Sequence, residues 1–118
     1  MSKRKDFELL SDIKEAIRRI RLYLNRLSYE RFMEREESQD AVVRNLEIIG
    51  EAAKNLSTHL KKGYANIPWK ELAGLRDRLV HQYFGVNLDI VWRIVNQELP
   101  ELTKQIEEIL EILLRKAQ

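Results

Sequence analysis

Residues 6–27, which read DFELLSDIKEAIRRIRLYLNRL, carry the strongest fold signal in the chain. Their large aliphatic side chains recur at steps of three and four residues, which is the period of one face of an α-helix. The members of this stripe are Leu9, Leu10, Ile13, Ile17, Ile20, Leu24 and Leu27. Lys14, Arg18 and Arg21 fall away from the stripe. The segment therefore predicts a long amphipathic helix that packs its apolar face against other helices.

The same period predicts further helices downstream. A second long helix is expected over residues 38–63, with Ser38 as its N-cap. Small residues around Gly50 would let another helix approach it closely. A third helix is expected from Pro68, which suits a first helical position, to Gly85, which tolerates the left-handed conformation at a helix end.

The last third of the chain predicts two more helices. Asn87 suits the N-cap of a short fourth helix, and Pro100 suits the start of the last one. Valine and isoleucine fall at helical rather than alternating positions, so no strand is predicted. We therefore expect an all-α bundle of four to five helices in a single helical domain spanning residues 1–118. The apolar stripes of the two longest helices exceed what one small bundle covers, which favours a homodimer.

Charged residues are abundant but nearly balanced. They make up 34% of the chain, against about 25% in typical soluble proteins, and the formal net charge is +2. Such a mild excess does not by itself indicate nucleic-acid binding. Basic residues crowd the first third of the chain: Lys3, Arg4, Lys5, Arg18, Arg19, Arg21, Arg26, Arg31 and Arg35. Solvated helix faces are the simpler explanation, and a basic face for an RNA backbone or an acidic partner is the alternative.

Several classes of protein are excluded or disfavoured by composition. The chain holds no cysteine, which excludes disulfides, thiolate catalysis and cysteine-based zinc sites. No apolar run approaches the roughly 20 residues of a membrane-spanning helix. The basic N-terminal residues are not followed by the apolar core of a signal peptide. We expect a cytoplasmic protein without membrane contact.

One short segment holds the residues best suited to chemistry. Residues 76–83 read RDRLVHQY and contain the pattern Arg76-x4-His81-x-Tyr83. An arginine can hold a phosphate and stabilise charge that builds on its oxygens. A histidine, which titrates near neutrality, can take a proton from a ribose 2′-hydroxyl. This pair suffices in principle for RNA cleavage without a metal.

The spacing of these residues raises a geometric question. On an ideal helix Arg76 and His81 lie about 140° apart, so they do not converge unless the helix ends or a two-fold axis brings two copies together. Asp77 is four residues before His81, where a carboxylate on the same helical face would orient the imidazole. Arg78 is three residues before His81 and is the nearer arginine by geometry. Spacing alone does not choose between the two arginines.

Structural explanations compete with the catalytic one. A histidine near a helix C-terminus often only complements the helix dipole, and this is the preferred explanation for His59. Tyr83 can cover the edge of the core, and the neighbouring charges can form surface ion pairs. His59 and His81 do not form a metal-ligand pattern, and the isolated glycines form no phosphate-binding loop. No metal site and no cofactor are predicted.

Several blocks of the sequence resemble the HEPN-domain toxins of the HepT type. They are residues 76–92 (RDRLVHQYFGVNLDIVW), residues 40–54 (DAVVRNLEIIGEAAK) and residues 67–69 (IPW). The blocks occur in the family's order, and the resemblance extends over roughly residues 7–102. It implies an antiparallel helical homodimer whose composite active site, in the dimer cleft, cleaves RNA without a metal.

The resemblance also assigns roles to the motif. Arg76 and His81 match the family's catalytic pair, which leaves Asp77 and Arg78 as supporting residues. Tyr83 matches the tyrosine that receives AMP from a cognate minimal nucleotidyltransferase, the antitoxin of a toxin–antitoxin pair. A bulky anionic AMP group there would block RNA and compete for the arginine.

Less of the family pattern carries over outside the motif. Asn45, Glu47 and Glu51 of the second helix are candidates to face the same cleft, but they can equally be solvated or join helices. Two alternative functions stay open. One is a non-catalytic dimer that binds nucleotide or RNA and acts as partner subunit of a nucleotidyltransferase. The other is a purely structural helical dimer.

Overall fold

The chain is described by a computed structural model. It covers the backbone of residues 2–81 and 85–117 and the side chains of residues 5–80 and 85–117. The helices are α1 (Ser2–Leu24), α2 (Tyr29–Glu34), α3 (Glu36–Asn55), α4 (Thr58–Gly63), α5 (Trp69–Ala73), α6 (Leu75–Leu79), α7 (Leu88–Arg93) and α8 (Leu99–Ala117). A π-helical turn, Ile94–Glu98, joins α7 to α8. The predicted all-α class is confirmed.

The core lies where α1 packs against both α3 and α8, and α3 packs in turn against α5 and α6. The predicted stripe of α1 is confirmed in its central part, where Leu10, Ile13, Ile17 and Ile20 are fully buried. The remaining fully buried large side chains come from other helices: Phe32, Leu46, Ile49, Leu75, Leu79, Ile94, Ile106 and Ile109. Burial of these apolar surfaces is the main stabilising contribution to the fold.

Close packing of α3 on α5 depends on Gly50, as its small size predicted. A Cβ atom built on Gly50 would lie only 3.0 Å from the carbonyl oxygen of Leu72. Any larger residue would push the two helices apart, because both sides of this contact are helical backbone. The contact therefore fixes how near the C-terminal half of α3 comes to α5 and α6.

The long helix predicted over residues 38–63 is divided, which corrects the prediction. It begins earlier, at Glu36, so Ser38 is not its N-cap. It ends at Asn55, and Ser57 caps the separate helix α4 by accepting a 3.1 Å hydrogen bond from the Leu60 N–H. The buried carboxylate of Asp6 accepts bonds from the Ser57 N–H at 2.8 Å and the Ser57 hydroxyl at 2.6 Å. These bonds to α1 hold the backbone in a non-helical turn.

The helix predicted from Pro68 to Gly85 is also wrong in detail. Gly74 separates α5 from α6, and α6 ends at Leu79. The prediction that the chain forms no strand is wrong here, because Val80–His81 and Gly85–Val86 form a two-stranded antiparallel ribbon. Gly85 has the predicted left-handed conformation, with φ of 74°, but it begins a strand instead of ending a helix.

The other two boundary predictions hold more closely. The side chain of Asn87 accepts a 3.1 Å bond from the Ile90 N–H and so caps α7 as predicted. Pro100 lies in the first turn of α8, one residue after its start. The first helix ends at Leu24 instead of Leu27, because Arg26 takes a left-handed conformation with φ of 62°. Among the helices of the described ranges, none is both long enough and apolar enough to cross a lipid bilayer.

Candidate active site

Arg76 lies exposed on α6 at an open cavity between α3 and the α5–α6 segment. The cavity has a volume of about 520 Å³. Its lining residues are Arg44, Glu47, Ile48, Gly50, Glu51, Lys54, Ala73, Arg76 and Asp77. We call it the α3–α6 cavity. The predicted supporting residue Asp77 is thus placed beside the predicted catalytic Arg76.

The wall contributed by α3 follows from helical spacing. Arg44, Glu47, Glu51 and Lys54 are separated by steps of three and four residues, so they share one exposed face. This face lies beside the buried stripe of the same helix. Of the three polar residues proposed for the cleft, Glu47 and Glu51 line it, whereas Asn45 is buried and donates to the Ala41 carbonyl oxygen at 2.8 Å.

Three cationic side chains, those of Arg44, Lys54 and Arg76, line the cavity with three carboxylates. Within the described ranges, 5–80 and 85–117, no side-chain hydrogen bond or ion pair involves any of these three cations. Glu51 accepts a 3.3 Å bond from the Asn55 amide. The Arg76 guanidinium keeps all its donors for an anionic ligand, and a phosphate is the anion that its planar fork fits.

The end of α6 changes the geometry expected for His81. The backbone of His81 pairs with Gly85 in the ribbon, two residues beyond Leu79, the last residue of α6. The prediction that Asp77 and His81 share a helical face is therefore wrong, because the helix has already ended. The His81 side chain and all of Tyr83 lie outside the described residues, so their assigned roles stay predictions.

Arg78 is directed away from the cavity and is held by a carboxylate. Its Nη1 and Nη2 atoms donate to Oε1 and Oε2 of Glu98 at 3.1 and 2.8 Å. The hydrogen bonds that Arg78 donates to Glu98 raise the pKa of Arg78 further above its ordinary value. Because Glu98 belongs to the π-helical turn, the pair ties α6 to the segment between α7 and α8. The support that Arg78 can give is therefore to fix the orientation of α6.

Sequence reasoning missed Arg44, Lys54 and Glu98. The first two were detectable, because they lie three residues before Glu47 and three residues after Glu51 on the exposed face of the predicted second helix. Glu98 had no such signal, since it is twenty residues from Arg78 and its direction depends on the π-helical turn. Such turns occur often at functional sites.

A second cleft lies between α1 and α8 and has a volume of about 280 Å³. We call it the α1–α8 groove. Here Glu15 binds Arg18 at 2.7 Å and Arg19 at 3.0 Å. The hydrogen bonds from these arginines lower the pKa of Glu15 to about 2. Arg21 donates to the Thr103 hydroxyl at 3.3 Å. Arg18, Arg19 and Arg21 of α1 therefore have partners among the described side chains.

Comparison with known proteins identifies the family of the chain. A family model described as "Ribonuclease HepT-like" matches residues 13–109, which include α3, α6 and the motif. The chain belongs to the HepT-like ribonuclease family, which confirms the resemblance.

Individual relatives extend the similarity over most of the chain. The "Probable ribonuclease HepT" of Thermococcus cleftensis is 40% identical over 107 residues, which cover 91% of this chain and 97% of the relative. "Putative RNase TTE0752" of Caldanaerobacter subterraneus subsp. tengcongensis is 49% identical over 85 residues, which cover 72% of this chain and 76% of the relative. No solved structure matches the chain.

Proposed function

We propose that this chain is an endoribonuclease that cleaves RNA without a metal and that its active site is the α3–α6 cavity. The observation that carries the proposal is the Arg76 guanidinium, exposed at the cavity and without a partner among the described side chains, in a chain of a ribonuclease family. The relatives named as ribonucleases support the same activity.

The proposed reaction uses the ribose 2′-hydroxyl of the substrate as nucleophile. His81 takes the proton, the 2′-oxygen attacks the adjacent phosphorus, and the bond from phosphorus to the 5′-oxygen breaks. The departing 5′-oxygen takes up a proton, which leaves a 2′,3′-cyclic phosphate and a 5′-hydroxyl. Arg76 stabilises the negative charge that builds on the phosphate oxygens. DNA, which lacks the 2′-hydroxyl, would not be cleaved.

A homodimer is part of the proposal. Ile48 on the cavity wall and Val80 and Val86 on the ribbon are apolar but exposed, with 36, 47 and 37% of their surfaces accessible. Covering these residues with a second copy would bury apolar surface and bring two motifs into one cleft. Val80→Glu should shift sedimentation from dimer to monomer. A wild-type chain that sediments as a monomer would contradict this part.

Regulation by AMP transfer is proposed from the family match at Tyr83. A cognate nucleotidyltransferase would attach AMP to the phenolic oxygen of Tyr83, five residues after Arg78 and beside the catalytic pair in sequence. Mass spectrometry after co-expression of the two proteins should find the added AMP on the Tyr83 peptide, and Tyr83→Phe should carry none. If the nucleotidyltransferase is active but only the unmodified Tyr83 peptide is recovered, the proposed regulation by AMP transfer is rejected.

Toxicity tests the proposal in cells. Expression without the antitoxin should arrest growth, and Arg76→Ala or His81→Ala should relieve the arrest at equal protein levels. Arg18→Ala, which changes an arginine of the α1–α8 groove, is the matched control and should stay toxic. Undiminished arrest in both motif variants would reject the catalytic assignment. A chain that binds RNA without cleaving it would favour the non-catalytic alternative.

A further inference from the structure

A shallow depression adjoins the α3–α6 cavity, between α4 and the start of α5. Its rim carries three lysines, Lys61, Lys62 and Lys70, against a single carboxylate, Glu71. Lys62 and Lys70 are exposed and Lys61 is half-buried. We call this surface the lysine depression. It differs from the cavity, where cations and carboxylates are equal in number.

Two features link the depression to the cavity. Lys61 of the depression donates from Nζ to the carbonyl oxygen of Lys54, at 3.3 Å, and Lys54 lines the cavity. Helix α5 also forms part of both walls, with Lys70 on the depression and Ala73 on the cavity. Lys70 and Arg76 are six residues apart, on the two short helices that meet at Gly74. A ligand bound at Arg76 can therefore extend onto the lysines.

The lysine charges are available to such a ligand. Among the side chains of residues 5–80 and 85–117, none forms an ion pair with Lys61, Lys62 or Lys70. A lysine ammonium acts as a mobile point charge that attracts phosphate without demanding one geometry. A row of such charges suits a polyanion that runs past it.

The depression offers no surface that would read bases. Its one large aromatic residue, Trp69, is 6% exposed, and its Nε1 atom donates to the Tyr64 carbonyl oxygen at 3.0 Å. The ring is therefore not free for base stacking, which is the usual aromatic contribution to single-strand binding. The charged groups that the depression presents are the three lysines and Glu71. Lysine contacts position a nucleic acid through its phosphates without specifying its sequence.

We propose that the lysine depression binds the phosphate backbone of the RNA that flanks the cleaved bond. This inference rests on the proposed function, because it takes RNA to be the ligand at Arg76. The lysines contribute affinity that is equal in the ground state and the transition state, so they lower KM without changing kcat. They act only on substrates long enough to leave the cavity.

The test compares two triple variants that remove equal charge. Lys61→Gln/Lys62→Gln/Lys70→Gln removes the depression, and Lys14→Gln/Lys104→Gln/Lys116→Gln removes three lysines from α1 and α8. With a single-stranded oligoribonucleotide of about 12 residues, the first variant should raise KM roughly tenfold with kcat unchanged. The slope of log affinity against log salt should fall by about 2, or about 0.7 for each lost phosphate contact. The control variant should resemble the wild type.

A second substrate separates the outcomes. Cleavage of a ribodinucleotide, which fits within the cavity, should be the same in the wild type and the depression variant. Equal KM for the long substrate in the two triple variants would overturn the inference while leaving the ribonuclease intact. Loss of antitoxin binding with unchanged RNA affinity would overturn it in favour of an acidic protein partner. Absence of cleavage by the wild type would instead reject the proposed function, and RNA binding by fluorescence anisotropy would still decide the role of the lysines.

Discussion

The α3–α6 cavity and the α1–α8 groove are both clefts lined by arginines, yet their arginines differ in whether a carboxylate binds them. In the groove, Glu15 binds both Arg18 and Arg19. In the cavity, Arg44 and Arg76 have no ion-pair partner among the described residues. A candidate anion site is therefore distinguished by arginines that no carboxylate binds, and not by the density of arginines.

Helical spacing alone does not explain the two states. On α1 a glutamate precedes arginines by three and four residues, which is the favourable order for an ion pair, and the pairs form. On α3 Asp40 precedes Arg44 by four residues and Glu51 precedes Lys54 by three, yet neither pair forms among the described side chains. The orientation of the side chains, and not their spacing, therefore leaves the two cations available at the cavity wall.

The largest effect on stability is expected from replacing Gly50, because the close packing of α3 on α5 at this residue shapes the cavity wall. Gly50→Val would place side-chain atoms against the Leu72 carbonyl, 3.0 Å from the Cβ position, and should lower the free energy of unfolding by about 1–3 kcal/mol. RNA cleavage should fall as well, because α5 and α6 must move. Denaturant unfolding measures the first effect. Gly63→Val is the control, since nothing lies within 4 Å of the Cβ position there, and equal losses in both variants would contradict the packing account.

A smaller effect is expected from removing the ion pair between Glu98 and Arg78. Glu98→Gln removes the ion pair with Arg78. The side chains of Arg78 and Glu98 are 34 and 39% exposed, so the free energy of unfolding should fall by about 0.2–1 kcal/mol. Cleavage should fall severalfold in kcat, because α6 carries Arg76 and loses its tie to the π-helical turn. Glu111→Gln, which breaks the exposed pair with Arg115, should leave kcat unchanged. Unaltered kcat in Glu98→Gln would show that the tie does not position the site.

The smallest effect concerns the groove and depends on pH. The pKa of Glu15 is lowered from 4.5 to about 2 by its hydrogen bonds with the two arginines, so its stabilising contribution is present above pH 4.5. That contribution should be lost as the pH falls from about 4.5 to about 2. Glu15→Gln should therefore unfold earlier in denaturant at pH 6, and the difference from the wild type should vanish near pH 2. A difference that persists at pH 2 would contradict the assignment.

The sequence predicts the long elements because their apolar periods are local. The stripe of α1 and the cap at Asn87 are examples, since each depends on residues within a few positions of one another. The breaks were not predictable in the same way. Ser57 leaves the helix because it binds Asp6, 51 residues away, and α6 ends because Val80 pairs with Val86.

The site shows the same limit. By geometry Arg78 was the nearer arginine to His81, spacing alone did not choose between the two arginines, and the resemblance to HepT-type toxins selected Arg76. In the fold Glu98 binds Arg78, whereas Arg76 lies exposed at the cavity. Arg44 and Lys54 lie on the exposed face of α3, which helical periodicity predicts from the sequence alone.

The active-site assignment is tested most directly by measuring RNA cleavage with the purified Arg76→Ala and Arg18→Ala variants, because each variant removes one arginine from one of the two clefts. We expect kcat to fall by about 10²–10³-fold in Arg76→Ala and to stay at the wild-type value in Arg18→Ala. Wild-type cleavage by Arg76→Ala, or an equal loss in both variants, would contradict the assignment of the α3–α6 cavity as the active site.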